Sequence, residues 1–230
     1  MLFSRIITIC CFTALVYGCE VNLEPDTRIL VSGQVLDEVN QPVTQAQVEV
    51  ASRIATSIFG EDDLILGSGL TDDSGSFNVV SLLERDDEFA VRVNKNEDFT
   101  SYTYFTDTAA NELDDLEINI GEVSLKRIAT VSFNINETSG TGNTLNFTLK
   151  YNDIECIEFF NGEIIDMNNS FCFQQVQISQ VLETTVTSTN GMFLTPLLSE
   201  IEFTYSINNQ SPITEIFVVN DTSYDFTFNF

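Results

Sequence analysis

Histidine is absent from the 230-residue chain. A Ser-His-Asp triad, a Cys-His pair and a histidine-bound metal are therefore excluded from its chemistry. Carboxylates are plentiful, and three short stretches crowd them together: Glu61, Asp62 and Asp63; Asp72, Asp73 and Ser74; Asp86, Asp87 and Glu88. Calcium needs several hard oxygen ligands of this kind, which makes Asp72, Asp73, Asp86 and Asp87 its candidate ligands. None of the three has the spacing of a helix-loop-helix calcium loop, and solvated loop charge is the competing reading. A pair of acids also suffices for glycoside hydrolysis, provided one is raised in pKa and the two stand at a set separation. No glycine-rich stretch follows a strand and opens a helix, so a nucleotide site lacks its scaffold.

Five cysteines sort themselves by position. Cys10 and Cys11 fall in an apolar run, residues 6–16, that follows Arg5 and ends at Tyr17, Gly18 and Cys19. A basic start, an apolar core of this length and a small residue before the cut describe an export signal, too short for a spanning helix. Leu15, Val16, Tyr17, Gly18 and Cys19 resemble the lipobox of bacterial lipoproteins. That resemblance implies removal of residues 1–18, diacylation of Cys19 and an acylated tether over residues 19–28. An ordinary cleaved signal with an incidental cysteine is the alternative. Cys156 and Cys172 then remain as a pair, and an oxidising compartment reads them first as one disulfide. No Cys-x-x-Cys motif or neighbouring cation supports a redox role.

The formal charge is -26, and no basic residue follows Lys150. Such a surface repels phosphate backbones and anionic head groups, so nucleic acid is not an expected partner. Attachment to a membrane would come from acyl chains, each buried methylene adding about 0.8 kcal/mol. Abundant Phe, Ile, Val and Leu argue for a packed core despite the charge.

Hydrophobic alternation at period two begins near Ile29 and continues through Leu36; residues 46–52 alternate again. Residues 53–67 read two ways, since Ile58 and Phe59 are apolar while Glu61, Asp62 and Asp63 suggest an exposed loop. The run Thr71, Asp72, Asp73, Ser74, Gly75, Ser76, Phe77 reads as a turn feeding a strand, with Gly75 free to take a positive φ. Val31 to Val35 with Gly33, then Pro42 and Val43, then Ala46, Val48 and Val50, then Thr71, Asp72, Gly75, Phe77 and Val79 resemble the carboxypeptidase regulatory-like domain. This resemblance, over residues 29–122, implies a seven-stranded sandwich of transthyretin type, used in that family as an accessory, spacer or adhesion module. Tyr102, Tyr104 and Phe105 read as core or as a stacking surface for sugar or peptide.

A second domain is expected over residues 125–230, again all strand and turn, of immunoglobulin/fibronectin-like or jelly-roll-like type. Asn161 and Gly162 form the strongest hairpin signal, and Asn190 with Gly191 reads as a further turn. With Asn161 and Gly162 at the centre of a two-residue turn, Cys156 would lie opposite Met167, leaving Cys172 on a following or facing strand. The expected protein is all-β: two antiparallel sandwiches in tandem, lipid-anchored at the outer membrane through Cys19, on a face left open. Tether plus accessory domain resembles a lipoprotein of the Bacteroidota. Its expected role is a non-catalytic binding, adhesion or structural module for a protein or glycan, without a required cofactor. A carboxylate-dependent glycoside hydrolase and a calcium-stabilised surface glycan binder are the alternatives.

Overall fold

The computed structural model describes residues 27–57, 60–83, 88–108, 116–140 and 142–230. These residues form strands and turns, with no helix among them. The first half contains β1 (Thr27–Leu36), β2 (Gln47–Ser57), β3 (Gly60–Leu70), β4 (Ser76–Leu83), β5 (Glu88–Asn94), β6 (Ser101–Asp107) and β7 (Glu117–Ser124). The second contains β8 (Ile128–Asn136), β9 (Leu145–Asn152), β10 (Glu155–Asn161), β11 (Ile164–Ile165), β12 (Phe171–Cys172), β13 (Gln175–Leu182), β14 (Ser188–Pro196), β15 (Glu200–Ile207), β16 (Ile213–Val218) and β17 (Ser223–Asn229).

The sheet β4-β1-β7 packs on the sheet containing β3, β2, β5 and β6 to make the first sandwich. Strict alternation drives it. In β4, Phe77, Val79, Ser81 and Leu83 are buried while Asn78, Val80 and Leu82 face out. Val48, Val50, Val91 and Phe89 fill the space beneath them. Residues 53–57 and 60–67, ambiguous in the sequence, extend the two arms of the β2–β3 hairpin, with register shifts after Val50 and Ile54. Backbone pairing along both arms overrides the local acidity.

The turn between β3 and β4 is held by side chains. Thr71, buried, donates through Oγ1 to Val43 O and accepts from Ala46 N. Asp72 Oδ1 accepts from Ser74 N, Ser74 Oγ and Ser76 N. Gly75 follows at φ 75°, and a Cβ there would stand 2.4 Å from Val35 O.

In the second sandwich β13-β9-β15-β16 packs on β14-β8-β17 around a phenylalanine-rich core. Phe203, fully buried, meets the edges of Phe226 and Phe228 at centroid separations of 4.9 and 5.0 Å, the edge-to-face geometry that aromatic quadrupoles favour. Asn190 and Gly191 do not turn. They lie in β14, where Gly191 is paired with Phe133 and a Cβ would stand 2.7 Å from that ring. The glycine serves a close approach of an aromatic face.

Most neighbouring strands run antiparallel, but β1–β7, β8–β17 and β6–β10 are parallel. The last of these crosses between the halves. β10 leaves the second half and pairs with β6 from Glu155↔Ser101 to Phe160↔Thr106, so it belongs to the first sandwich's sheet. Its turn places Gly162 and Glu163 at the centre, one residue later than the sequence suggests, with Gly162 at φ 65°. After β11 the chain loops around Asp166, whose backbone N–H donates to Phe159 O, and returns as β12. Cys156 therefore sits opposite Cys172, not Met167.

Gly75→Ala should cost about 2 kcal/mol or more, because a positive φ and a backbone clash coincide. Gly121, at φ 71° with open space around its Cβ position, should lose only about 1 kcal/mol as alanine. Urea midpoints at constant m-value check this ordering; equal midpoints for the two variants would contradict it.

Candidate functional site

Cys19, Asp86 and Asp87 lie outside the described residues, as do the side chains of Glu61, Asp62, Asp63 and Glu88. Asp72 is engaged in its turn. Hydrogen bonds from the Ser74 hydroxyl, then from the backbone of Ser74 and Ser76, hold its carboxyl below the usual range. Asp73 stands exposed beside it. These contacts make the Asp72 stretch an Asx-type turn.

A disulfide joins Cys156 to Cys172. Cys156 belongs to the core of the first sandwich, and Phe160 and Phe173 pack against that same core. Glu158 has one carboxylate oxygen 3.8 Å from Cys172 Sγ; the other accepts from Tyr102 OH at 2.8 Å. Both cysteine sulfurs near Glu158 are consumed by the bridge, so no thiolate remains there to join the carboxylate in ligating a metal. Tyr104 stacks on Phe160 at 4.6 Å and Phe105 on Phe159 at 5.1 Å. The three aromatic residues of β6 are thus buried by β10 and form no exposed stacking surface.

Further contacts fix the junction. Lys126 O accepts from Thr100 N, Lys126 N donates to Thr100 Oγ1, and Ile128 N donates to Asp98 O. Arg127 pairs with Glu38, and the Lys126 ammonium lies 4.4 Å from the centroid of Phe173.

The exposed face of β13-β9-β15-β16 carries a different kind of surface. Register places Ser179, Thr148, Thr204 and Thr214 side by side across four strands. Thr148 and Ser179 share a hydrogen bond of 2.9 Å, as do Thr204 and Thr214. One residue pair along, Lys150 Nζ lies 2.7 Å from Glu202 Oε1. That hydrogen bond is the main reason the Glu202 carboxyl sits below the usual range. Beside this row opens a groove of about 400 Å³, lined by Asn146, Thr148, Ser179, Thr204, Ser206 and Pro212. It is of ligand size, and beside its hydroxyls and amides it is lined by the apolar Val181 and Pro212 and by Phe147 and Tyr205, with no charged side chain. Alternation alone exposes these positions, yet only pairing register shows that they form one row. Asp72, Asp166 and Glu202 are all shifted toward the ionised form, the opposite of what a glycosidase general acid needs.

No protein-family model matches the chain, and no curated protein matches it. Among solved structures, a 9R-lipoxygenase from Cyanothece aligns over 52% of this chain and 20% of its own, at 17% identity and a TM-score of 0.31. The Bacillus anthracis TIE protein aligns over 89% of this chain and 34% of its own, at 11% identity and a TM-score of 0.33. The shaft pilin SpaA of Lactobacillus rhamnosus GG aligns over 88% of this chain and 98% of its own, at 10% identity and a TM-score of 0.33. The chain thus spans about a fifth and about a third of the first two proteins. A likeness this remote carries no activity across.

Burial, and next the bond to Glu158, raise the Tyr102 phenol above its ordinary value. A raised folded-state value contributes stability that is complete below the unfolded phenol pKa of about 10 and is lost as pH climbs past it. Tyr102→Phe should lose about 1 to 2 kcal/mol at pH 7, the scale of a hydrogen bond to a charged acceptor. Its denaturation midpoint should also fall less steeply than the parent's above about pH 10. Superimposable alkaline limbs would contradict this role for Tyr102.

Proposed function

We propose that the protein is a lipid-anchored, non-catalytic accessory module of the bacterial envelope, which holds an uncharged groove at a fixed attitude to its anchor. The observation that carries this reading is the pairing of β10 with β6. A strand of the distal half completes the proximal half's sheet, so the groove on β13-β9-β15-β16 cannot swing freely on a linker. Residues 1–26 supply the export signal, the acylated Cys19 and a short tether. The partner is a neutral glycan or an uncharged protein surface, because the groove offers hydroxyls, amides and apolar side chains rather than charge. The surrounding acidity selects against polyanions.

Two measurements test the two parts. The full chain should enter the detergent phase on phase partition, and Cys19→Ala should move it to the aqueous phase. Retardation of the aqueous variant in gels containing neutral polysaccharide should weaken at least tenfold when Thr148→Phe fills the groove, about 1.4 kcal/mol of binding. Equal partition of both forms would refute the anchor. Retardation by a polysaccharide that Thr148→Phe leaves unchanged would refute the groove as the binding site.

A further inference from the structure

At the end where the chain enters the fold, the outer face of β4-β1-β7 carries Leu30, Val80 and Leu82, with Arg28 opposite Leu82 and Glu117 opposite Leu30. Leu30, on β1, is paired in register with Val80, and Leu30 N donates to Leu116 O. Val80 is 63% exposed, Leu116 49% and Leu82 37%. β3 runs alongside β4 there: a Cβ on Gly67 would stand 2.8 Å from Val80 O. Solvent-facing positions of a strand are ordinarily polar, so three adjoining apolar residues at one end of a sheet mark a contact surface.

Where the described chain begins says what covers it. β1 is the central strand of this sheet, and Thr27 at its start is paired with Leu83, next to the cluster. Seven residues, 20–26, lie between Cys19 and Thr27. Fully extended, the link from Cys19 to Thr27 reaches roughly 28 Å. An acyl chain on Cys19 therefore keeps this face, and not the second sandwich, within a short tether's reach of the bilayer. Repulsion between the chain's net charge of -26 and anionic head groups favours a zwitterionic surface.

Resting on the acylation of Cys19 proposed above, we infer that Leu30, Val80 and Leu82 seat the first sandwich on the zwitterionic lipid surface that holds its anchor. Shallow insertion of these side chains sets the orientation of the whole molecule, and so the direction in which the distal groove faces.

The chain has no tryptophan, so one introduced tryptophan reports alone. The acylated full-length variants Val80→Trp, Leu82→Trp and, as a control of equal 63% exposure on β16, Ile216→Trp would be reconstituted into phosphatidylcholine vesicles with brominated acyl chains. Val80→Trp and Leu82→Trp should be quenched at least twofold and blue-shifted, with Ile216→Trp unaffected. Flotation with the vesicles but no quenching at either position would overturn the docking face and leave the anchor standing. Failure of the acylated protein to float would overturn the anchor and the docking face together. Shielding of Val80→Trp from aqueous iodide without lipid quenching, in step with dimer formation, would assign the face to a second copy and overturn a lipid contact.

Discussion

An open sheet edge must be paired, covered or blunted, and in the first sandwich that requirement falls on β6. β10 meets it from the other half of the chain. Everything at the junction follows from that pairing. Tyr102 finds the Glu158 carboxylate, Tyr104 and Phe105 find the rings of Phe160 and Phe159, and Cys156 enters the first core. The disulfide then ties β12 to β10 across a loop with a sequence separation of 16. Closing a loop of that length removes about 3 kcal/mol of chain entropy from the unfolded state.

The cost is borne by the topology. Pairing β6 with β10 joins residues more than fifty positions apart, and contacts of such separation slow folding because loop closure must precede them. The return is a junction whose orientation is set by backbone hydrogen bonds as well as by side chains such as Arg127 and Glu38. For a module that presents a groove, that orientation matters as much as the groove itself.

Much of the first sandwich was legible because its signals are local. Alternation identified β1 and β4, and Thr71 with Gly75 identified the turn that feeds β4. The aberrant positions have physical reasons. Asn190 and Gly191 have turn chemistry, but Gly191 stays extended because the Phe133 ring occupies the place of its side chain. Acids at 61–63 looked like loop, while cross-strand pairing with β2 keeps that stretch in a strand. β10 was recognisable as a strand, but alternation says which faces are apolar and not which sheet they join. Its clue was apolar residues on both faces, Phe159 beside Phe160, as in a strand covered on two sides. The hydroxyl row was legible only as scattered serines and threonines, since register, fixed by long-range pairing, is what aligns them.

Differential scanning calorimetry of the oxidised full-length protein tests the splice most directly. If β10 makes the two sandwiches one cooperative unit, a single transition should appear, with equal calorimetric and van't Hoff enthalpies. Two resolved transitions, each with the enthalpy of half the chain, would show that the sandwiches unfold independently and would contradict the fixed attitude on which the functional reading rests.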